Sequence, residues 1–264
     1  MDAIGVFDSG VGGLTVAAAL RRRLPRESIL YLGDTARLPY GSKSPDTVTR
    51  YTRRNIEFLT ERGVKAVVVA CNTASALALP QLDPEHHLKI PTWGVIEPGA
   101  RKAAAVSRGR VGIIATDATV RSDAYPQALR AIRPELEILS QPCPLFVPLV
   151  EEGWHDDPIT EQIAVRYLRP LLDAGVDTLV LGCTHYPLLV PVLRRVAGPD
   201  VMLVDSAEAV AEVVAAGLAA GGIEAATLHT PEHHVCVTDA GEKFHQLAGR
   251  ILGEDVTLEW VEVT

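Results

Sequence analysis

The sequence reads as an α/β protein made of two similar units, each a mainly parallel sheet covered by helices. Three observations lead there. Short apolar, β-branched runs alternate with helical patterns along nearly the whole chain. The runs are continuously apolar rather than alternating, as strands of a parallel sheet buried on both faces must be. A gapless internal repeat also sets Gly63-Val64-Lys65-Ala66-Val67-Val68-Val69-Ala70-Cys71-Asn72-Thr73 against Gly175-Val176-Asp177-Thr178-Leu179-Val180-Leu181-Gly182-Cys183-Thr184-His185. Upstream of each copy, residues 4–9 resemble residues 111–116 in the same order.

The elements follow in turn. Residues 4–7 predict a strand, leading through Gly10-Val11-Gly12-Gly13 into a helix over 14–24. A strand over 29–32, a helix of 3.6 period over 46–62 and an apolar strand over 66–70 complete the first series. Strands over 111–115, 137–139 and 178–181 then alternate with helices over 123–132 and 160–174. Pro91-Thr92-Trp93-Gly94 and the Glu97-Pro98-Gly99 turn place the boundary between the units near residue 94. A helix over 207–220, a strand over 234–238, a helix over 243–252 and a strand over 256–261 are expected to return to the first unit. The expected domains are thus 1–94 plus 207–264, and 95–206.

Composition removes several function classes. The 264 residues leave room for a sizeable core, and 47% hydrophobic with 22% charged is an ordinary globular balance. Lys and Arg number 25 against 33 Asp and Glu, a net charge of −8, so a dedicated nucleic-acid binder is not expected. No apolar run is long enough to span a membrane, and the chain opens on a strand without a secretory pattern, so a cytoplasmic protein is expected. Cys71, Cys143, Cys183 and Cys236 form neither a CxxC pair nor a zinc spacing, so free thiols and no metal are expected.

In open parallel sheets, ligands bind beyond the carboxyl ends of the strands. The residues expected at that edge are Asp8-Ser9, Gly33-Asp34-Thr35 with Tyr40-Gly41 behind it, Cys71-Asn72-Thr73, Thr116 and Thr119, and Cys183-Thr184-His185. The turn at 10–13 is neither GxGxxG nor a Walker loop; it is either a site for a small carboxylate or a tight turn without a ligand. A lone strand-end cysteine is commonly a small buried hydrophobe. Two at equivalent places in a repeat, each before an expected helix N-terminus, instead suggest a pair of working thiols, one thiolate and one protonated. Asp8 either takes the proton of Cys71 or caps the next helix; His185 either serves Cys183 or is a packed loop residue. Glu151 is either a solvated acid or an acid of the cleft, and Cys143 and Cys236 read as structural.

Asp8-Ser9-Gly10-Val11-Gly12-Gly13-Leu14-Thr15, Tyr31-Leu32-Gly33-Asp34-Thr35-Ala36-Arg37-Leu38-Pro39-Tyr40-Gly41, Ala70-Cys71-Asn72-Thr73-Ala74-Ser75 and Leu181-Gly182-Cys183-Thr184-His185-Tyr186-Pro187 resemble the motifs of the glutamate racemases, in the aspartate/glutamate racemase family. The likeness runs from residue 4 to about 206 and includes Phe146-Val147-Pro148-Leu149-Val150-Glu151-Glu152-Gly153. It implies two flavodoxin-like domains with the site in the cleft between them, and a cofactor-independent racemase that supplies D-glutamate for peptidoglycan, usually as a homodimer. It implies further that Cys71 acts on D-glutamate and Cys183 on L-glutamate, assisted by Asp8 and His185. Ser9, Tyr40, Gly41, Asn72, Thr73 and Thr184 would bind substrate, with Asp34 and Glu151 in support and Thr116 and Thr119 as further contacts. Inverting one carbon needs an acid and a base on opposite faces, which two quasi-symmetric halves supply. The alternatives are an aspartate or related racemase, an amidase with one cysteine nucleophile, and a two-lobed amino-acid-binding protein without catalysis.

Overall fold

A computed structural model describes residues 2–82, 90–226, 230–239 and 241–263. The strands are β1 (Ile4–Asp8), β2 (Ile29–Gly33), β3 (Ala66–Val69), β4 (Thr92–Gly94), β5 (Arg110–Ala115), β6 (Glu137–Pro142), β7 (Thr178–Gly182), β8 (Met202–Asp205), β9 (His233–Val237) and β10 (Leu258–Trp260). The helices are α1 (Leu14–Arg23), α2 (Pro45–Glu61), α3 (Asn72–Leu77), α4 (Ile96–Val106), α5 (Asp117–Arg121), α6 (Ala124–Ile132), α7 (Phe146–Glu151), α8 (Pro158–Asp173), α9 (Val190–Ala197), α10 (Ser206–Gly221) and α11 (Glu242–Leu252).

Two sheets result, with every pairing parallel. One has the order β10-β9-β2-β1-β3-β4 and the other β6-β5-β7-β8. Four strands of the first and all four of the second share one order, in which the first strand of each unit lies between the second and third. That is the start of the flavodoxin-like winding. β9 and β10 extend the first sheet beyond β2.

Each sheet is buried on both faces. Val6, Leu20, Val210 and Leu247 join α1, α10 and α11 to one face of the first sheet, and Phe7, Leu59 and Val67 join α2 to the other. In the second sheet Leu168, Val192 and Phe146 bring α8, α9 and α7 to one face, while Ala100 and Leu129 bring α4 and α6 to the other. Each such Val, Leu or Phe contributes about 1.5–3 kcal/mol by leaving water.

The repeat has a structural basis at its first residue. Gly63 and Gly175 both sit just past a helix, at φ 75° and 74°. In both, the glycine N–H and the following valine N–H close the helix end: Gly63 to Thr60 and Val64 to Leu59, Gly175 to Leu172 and Val176 to Leu171. Only glycine takes this left-handed position without strain, and the motif turns the chain directly into the next strand.

Three expectations need correction. Residues 92–94, placed at the boundary with no element expected there, form the edge strand β4, and Glu97-Pro98-Gly99, expected as a turn, lies inside α4. Pro98 stands in the helix's first turn, where the missing N–H has no partner to lose. The last strand is shorter than 256–261, covering only Leu258–Trp260.

Candidate active site

β1 ends in Asp8, which is fully buried. The glycine-rich turn folds over it, and Gly10 N–H and Gly13 N–H donate to its Oδ2 at 3.0 and 3.2 Å. From the second unit the Thr184 hydroxyl donates to Oδ1 at 3.2 Å. The anion held by these two amides is therefore the chain's own carboxylate. Burial raises Asp8 above the usual carboxylate value, and the nearby His185 charge, the two amides and Thr184 pull it back.

Cys71 follows β3 as the N-cap of α3, with its Sγ 3.8 Å from Ser9 Oγ. The helix N-terminus does not make it a thiolate. Burial, reinforced by the negative charge of Asp8, pushes the thiol up to about 12, against the Ala74 amide and the Ser9 hydroxyl. In the unliganded protein Cys71 is a proton donor.

Cys183 has other neighbours. No α-helix starts behind it, contrary to expectation: Pro187 stands in a 3-10 turn over Tyr186–Leu189, and α9 begins only at Val190. The sulfur lies 3.9 Å from His185 Nδ1, and His185 Nε2 lies 2.9 Å from Glu151 Oε1. Burial draws His185 down, but the hydrogen bonds and charges of Cys183 and Glu151 outweigh it and push the imidazole up to about 10. A ring protonated on both nitrogens donates to the carboxylate on one side and toward the sulfur on the other.

The residue after each cysteine reaches the opposite unit. Thr184 donates to Asp8, while Asn72 Oδ1 accepts from Tyr125 of α6 at 2.7 Å. The next pair does the same. The Thr73 hydroxyl lies 3.0 and 3.2 Å from those of Thr116 and Thr119, which are 3.0 Å from each other. His185 packs on Gly12, where a Cβ would stand 2.7 Å from His185 Nδ1 and from Thr184 Oγ1 and 2.9 Å from His185 N. Gly12 is required for that approach. Among the described residues Asn72 Nδ2 is buried without a hydrogen-bond partner, a donor left open beside Cys71.

Asp34 and Tyr40 stand one layer back. The buried Tyr40 hydroxyl donates to Asp34 and accepts from Asn55 at 3.0 Å, and Arg37 and Thr238 also hold Asp34. Burial, with Asp34 beside it, raises the Tyr40 phenol well above its ordinary value. Tyr40 thus anchors the turn carrying Gly41 with its hydroxyl already engaged, while Gly41 packs on Thr116. A recess of about 290 Å³ lined by Leu38, Gly41, Thr116, Val147 and Glu151 adjoins this group. Cys236 lies within β9, in the first sheet's core, and Cys143 follows β6 with its thiol 3.5 Å from the Gln141 carbonyl. Sequence reasoning passed over Tyr125 and Asn55, because a buried tyrosine or asparagine in a helical pattern reads as core.

Fold and site together define a class: a two-unit α/β protein in which twin strand ends bring two cysteines into one buried, acid-lined site. The chain belongs to the Asp/Glu/Hydantoin racemase family, whose model matches residues 14–214. Among its relatives, a glutamate racemase of Geobacter metallireducens is 54% identical over 252 residues, covering 95% of this chain and 93% of that one. The crystal structure of glutamate racemase isoform RacE1 from Bacillus anthracis matches with a TM-score of 0.94 at 41% identity, over 99% of this chain and 98% of that one. Glutamate racemase from Francisella tularensis, solved in complex with D-glutamate, matches with a TM-score of 0.92 at 37% identity and the same coverage.

Proposed function

We propose that this protein interconverts L- and D-glutamate by a two-thiol, cofactor-independent mechanism. The observation that carries the reading is that Asp8, whose charge acts on Cys71, accepts from Thr184 beside Cys183, so that the two buried cysteines share surroundings yet have unlike proton partners. From L-glutamate, the Cα–H bond breaks toward the Cys183 sulfur and its electron pair stays on carbon, delocalised into the adjoining carboxylate. The protonated Cys71 thiol then gives its proton to the opposite face, and the two sulfurs have exchanged roles. D-glutamate runs the same steps backwards. The open Asn72 amide, the threonine hydroxyls and Ser9 supply hydrogen bonds where carboxylate charge builds up. In this reading Asp8, whose charge acts on Cys71, and His185, 3.9 Å from the Cys183 sulfur, take or return each sulfur's proton.

The two sheets support a division into domains 1–94 plus 207–264, and 95–206. Buried free cysteines suit a reducing, cytoplasmic setting, and no helix among the described residues is long and apolar enough to cross a membrane. Supply of D-glutamate to peptidoglycan and assembly as a homodimer rest on the likeness to the glutamate racemases.

One observation favours a second reading. Cys183, His185 and Glu151 form a nucleophile–base–carboxylate series of the kind that acyl-transfer enzymes use. That reading leaves Cys71 without a task. Proton NMR of the protein with L-glutamate in D2O separates the two. Loss of the α-proton together with D-glutamate in a chiral assay supports racemisation; no exchange by folded, reduced protein, with an acyl-enzyme mass on Cys183 and release of ammonia when a primary amide such as L-glutamine is supplied, would replace it.

A further inference from the structure

We infer that Tyr125 is a positioning residue for the reaction, holding the Asn72 amide so that its NH2 group faces the substrate rather than the protein. The inference rests on the glutamate racemase reading above. The Tyr125 hydroxyl donates to Asn72 Oδ1 at 2.7 Å, across from the second unit to the first. An amide oxygen can only accept, so in this contact the phenol proton points to the Asn72 carbonyl. The amide is thereby turned one way, and its Nδ2 is the buried group left without a partner. A buried donor left open is costly, and the cost is recovered when a ligand accepts from it.

The same ring lies under the other cysteine. A Cβ on Gly182, just before Cys183, would stand 3.2 Å from Tyr125 Cε2. Tyr125 therefore touches both cysteine turns, through its hydroxyl on one side and its ring on the other. Because Asn72 faces the substrate whichever way the proton moves, losing the hydroxyl must affect both enantiomers alike. Burial keeps the phenol protonated throughout the working range.

The test is a double-mutant cycle of Tyr125→Phe, Asn72→Ala and the pair, measuring kcat and KM for L- and D-glutamate with thermal unfolding of each variant. Tyr125→Phe keeps the ring against Gly182 and removes only the hydroxyl. The expected result is a KM raised about three- to tenfold for both enantiomers, with kcat changed much less. Asn72→Ala raises KM by about tenfold or more, and adding Tyr125→Phe to it changes nothing further. Additive effects, or a KM change in one enantiomer only, would overturn the positioning role while leaving the racemase reading intact. Wild-type protein that neither binds nor turns over glutamate would overturn both.

Discussion

The two cysteine turns are copies in backbone and opposites in chemistry. Each begins at a left-handed glycine, runs through an apolar strand and ends in a buried cysteine. The neighbours then diverge. Asp8 lies at the end of β1, and its counterpart at the end of β5 is Ala115. Thr73 follows Cys71 by two residues where His185 follows Cys183, and Glu151 of α7 lies outside the repeated segments. One thiol is held protonated by burial beside an acid; the other faces an imidazole backed by an acid. The comparison teaches that the repeat sets where the sulfurs stand, while unrepeated residues set the proton partners that surround each.

The sharpest way to break this comparison is to remove one sulfur at a time. Cys71→Ser and Cys183→Ser should each lower racemisation about 10²–10⁴-fold with the fold intact by circular dichroism. In D2O the remaining thiol should still exchange the α-proton of its own enantiomer: L-glutamate in Cys71→Ser and D-glutamate in Cys183→Ser. Exchange of both enantiomers by either variant would show that the two sulfurs are not specialised.

Next in size is Gly12→Ala. Its Cβ would lie 2.7 Å from Thr184 Oγ1 and His185 Nδ1, so the turn must move from the second unit. A displacement of that kind should lower kcat/KM about 10–100-fold and stability by about 1–3 kcal/mol, read by steady-state kinetics and urea unfolding. Unchanged kinetics would mean that the close approach has no part in the reaction.

A smaller effect tests the imidazole. His185 is raised from 6.5 to about 10, so between those values the folded protein holds a proton that the unfolded chain has lost. Its contribution to stability is complete below pH 6.5 and declines as pH rises toward 10. Glu151→Gln weakens the cause of the rise, so its urea midpoint should differ less between pH 6 and pH 8.5 than the wild type's does. An equal difference in both proteins would assign the dependence elsewhere. The smallest effect is expected for Cys236→Ala, in the core of β9, which should leave turnover within about twofold and cost about 1 kcal/mol on thermal unfolding.

Much of the fold was legible because buried parallel strands are written as unbroken apolar runs, of which residues 66–69 and 178–181 are the clearest. β4 and β8 escaped because three and four residues beside Pro91 and Pro199 carry too little pattern. α4 was hidden by Pro98-Gly99, which reads as a turn until its place in the first helical turn is known. At the site, the strand-end residues were visible one by one, since the edge of a parallel sheet is where polar groups collect. Which of them meet across the units was not. That Thr184 reaches Asp8 and Asn72 reaches Tyr125 depends on docking two sheets, and no local period encodes it. The hold of the 10–13 turn on Asp8 is different, a contact within five residues of the capping kind that the sequence already allowed.

The crossed reach of Thr184 and Asn72 bears on how such a molecule can be divided. Each half lends its neighbour an arm, so a half-chain on its own would present a sulfur with nothing closing over it. Two identical half-chains paired about a twofold axis would already set a thiol on either side of a shared gap. Fusing them into one polypeptide frees the copies to differ, and the unlike neighbours of the two sulfurs, Asp8 on one side and His185 on the other, record that freedom.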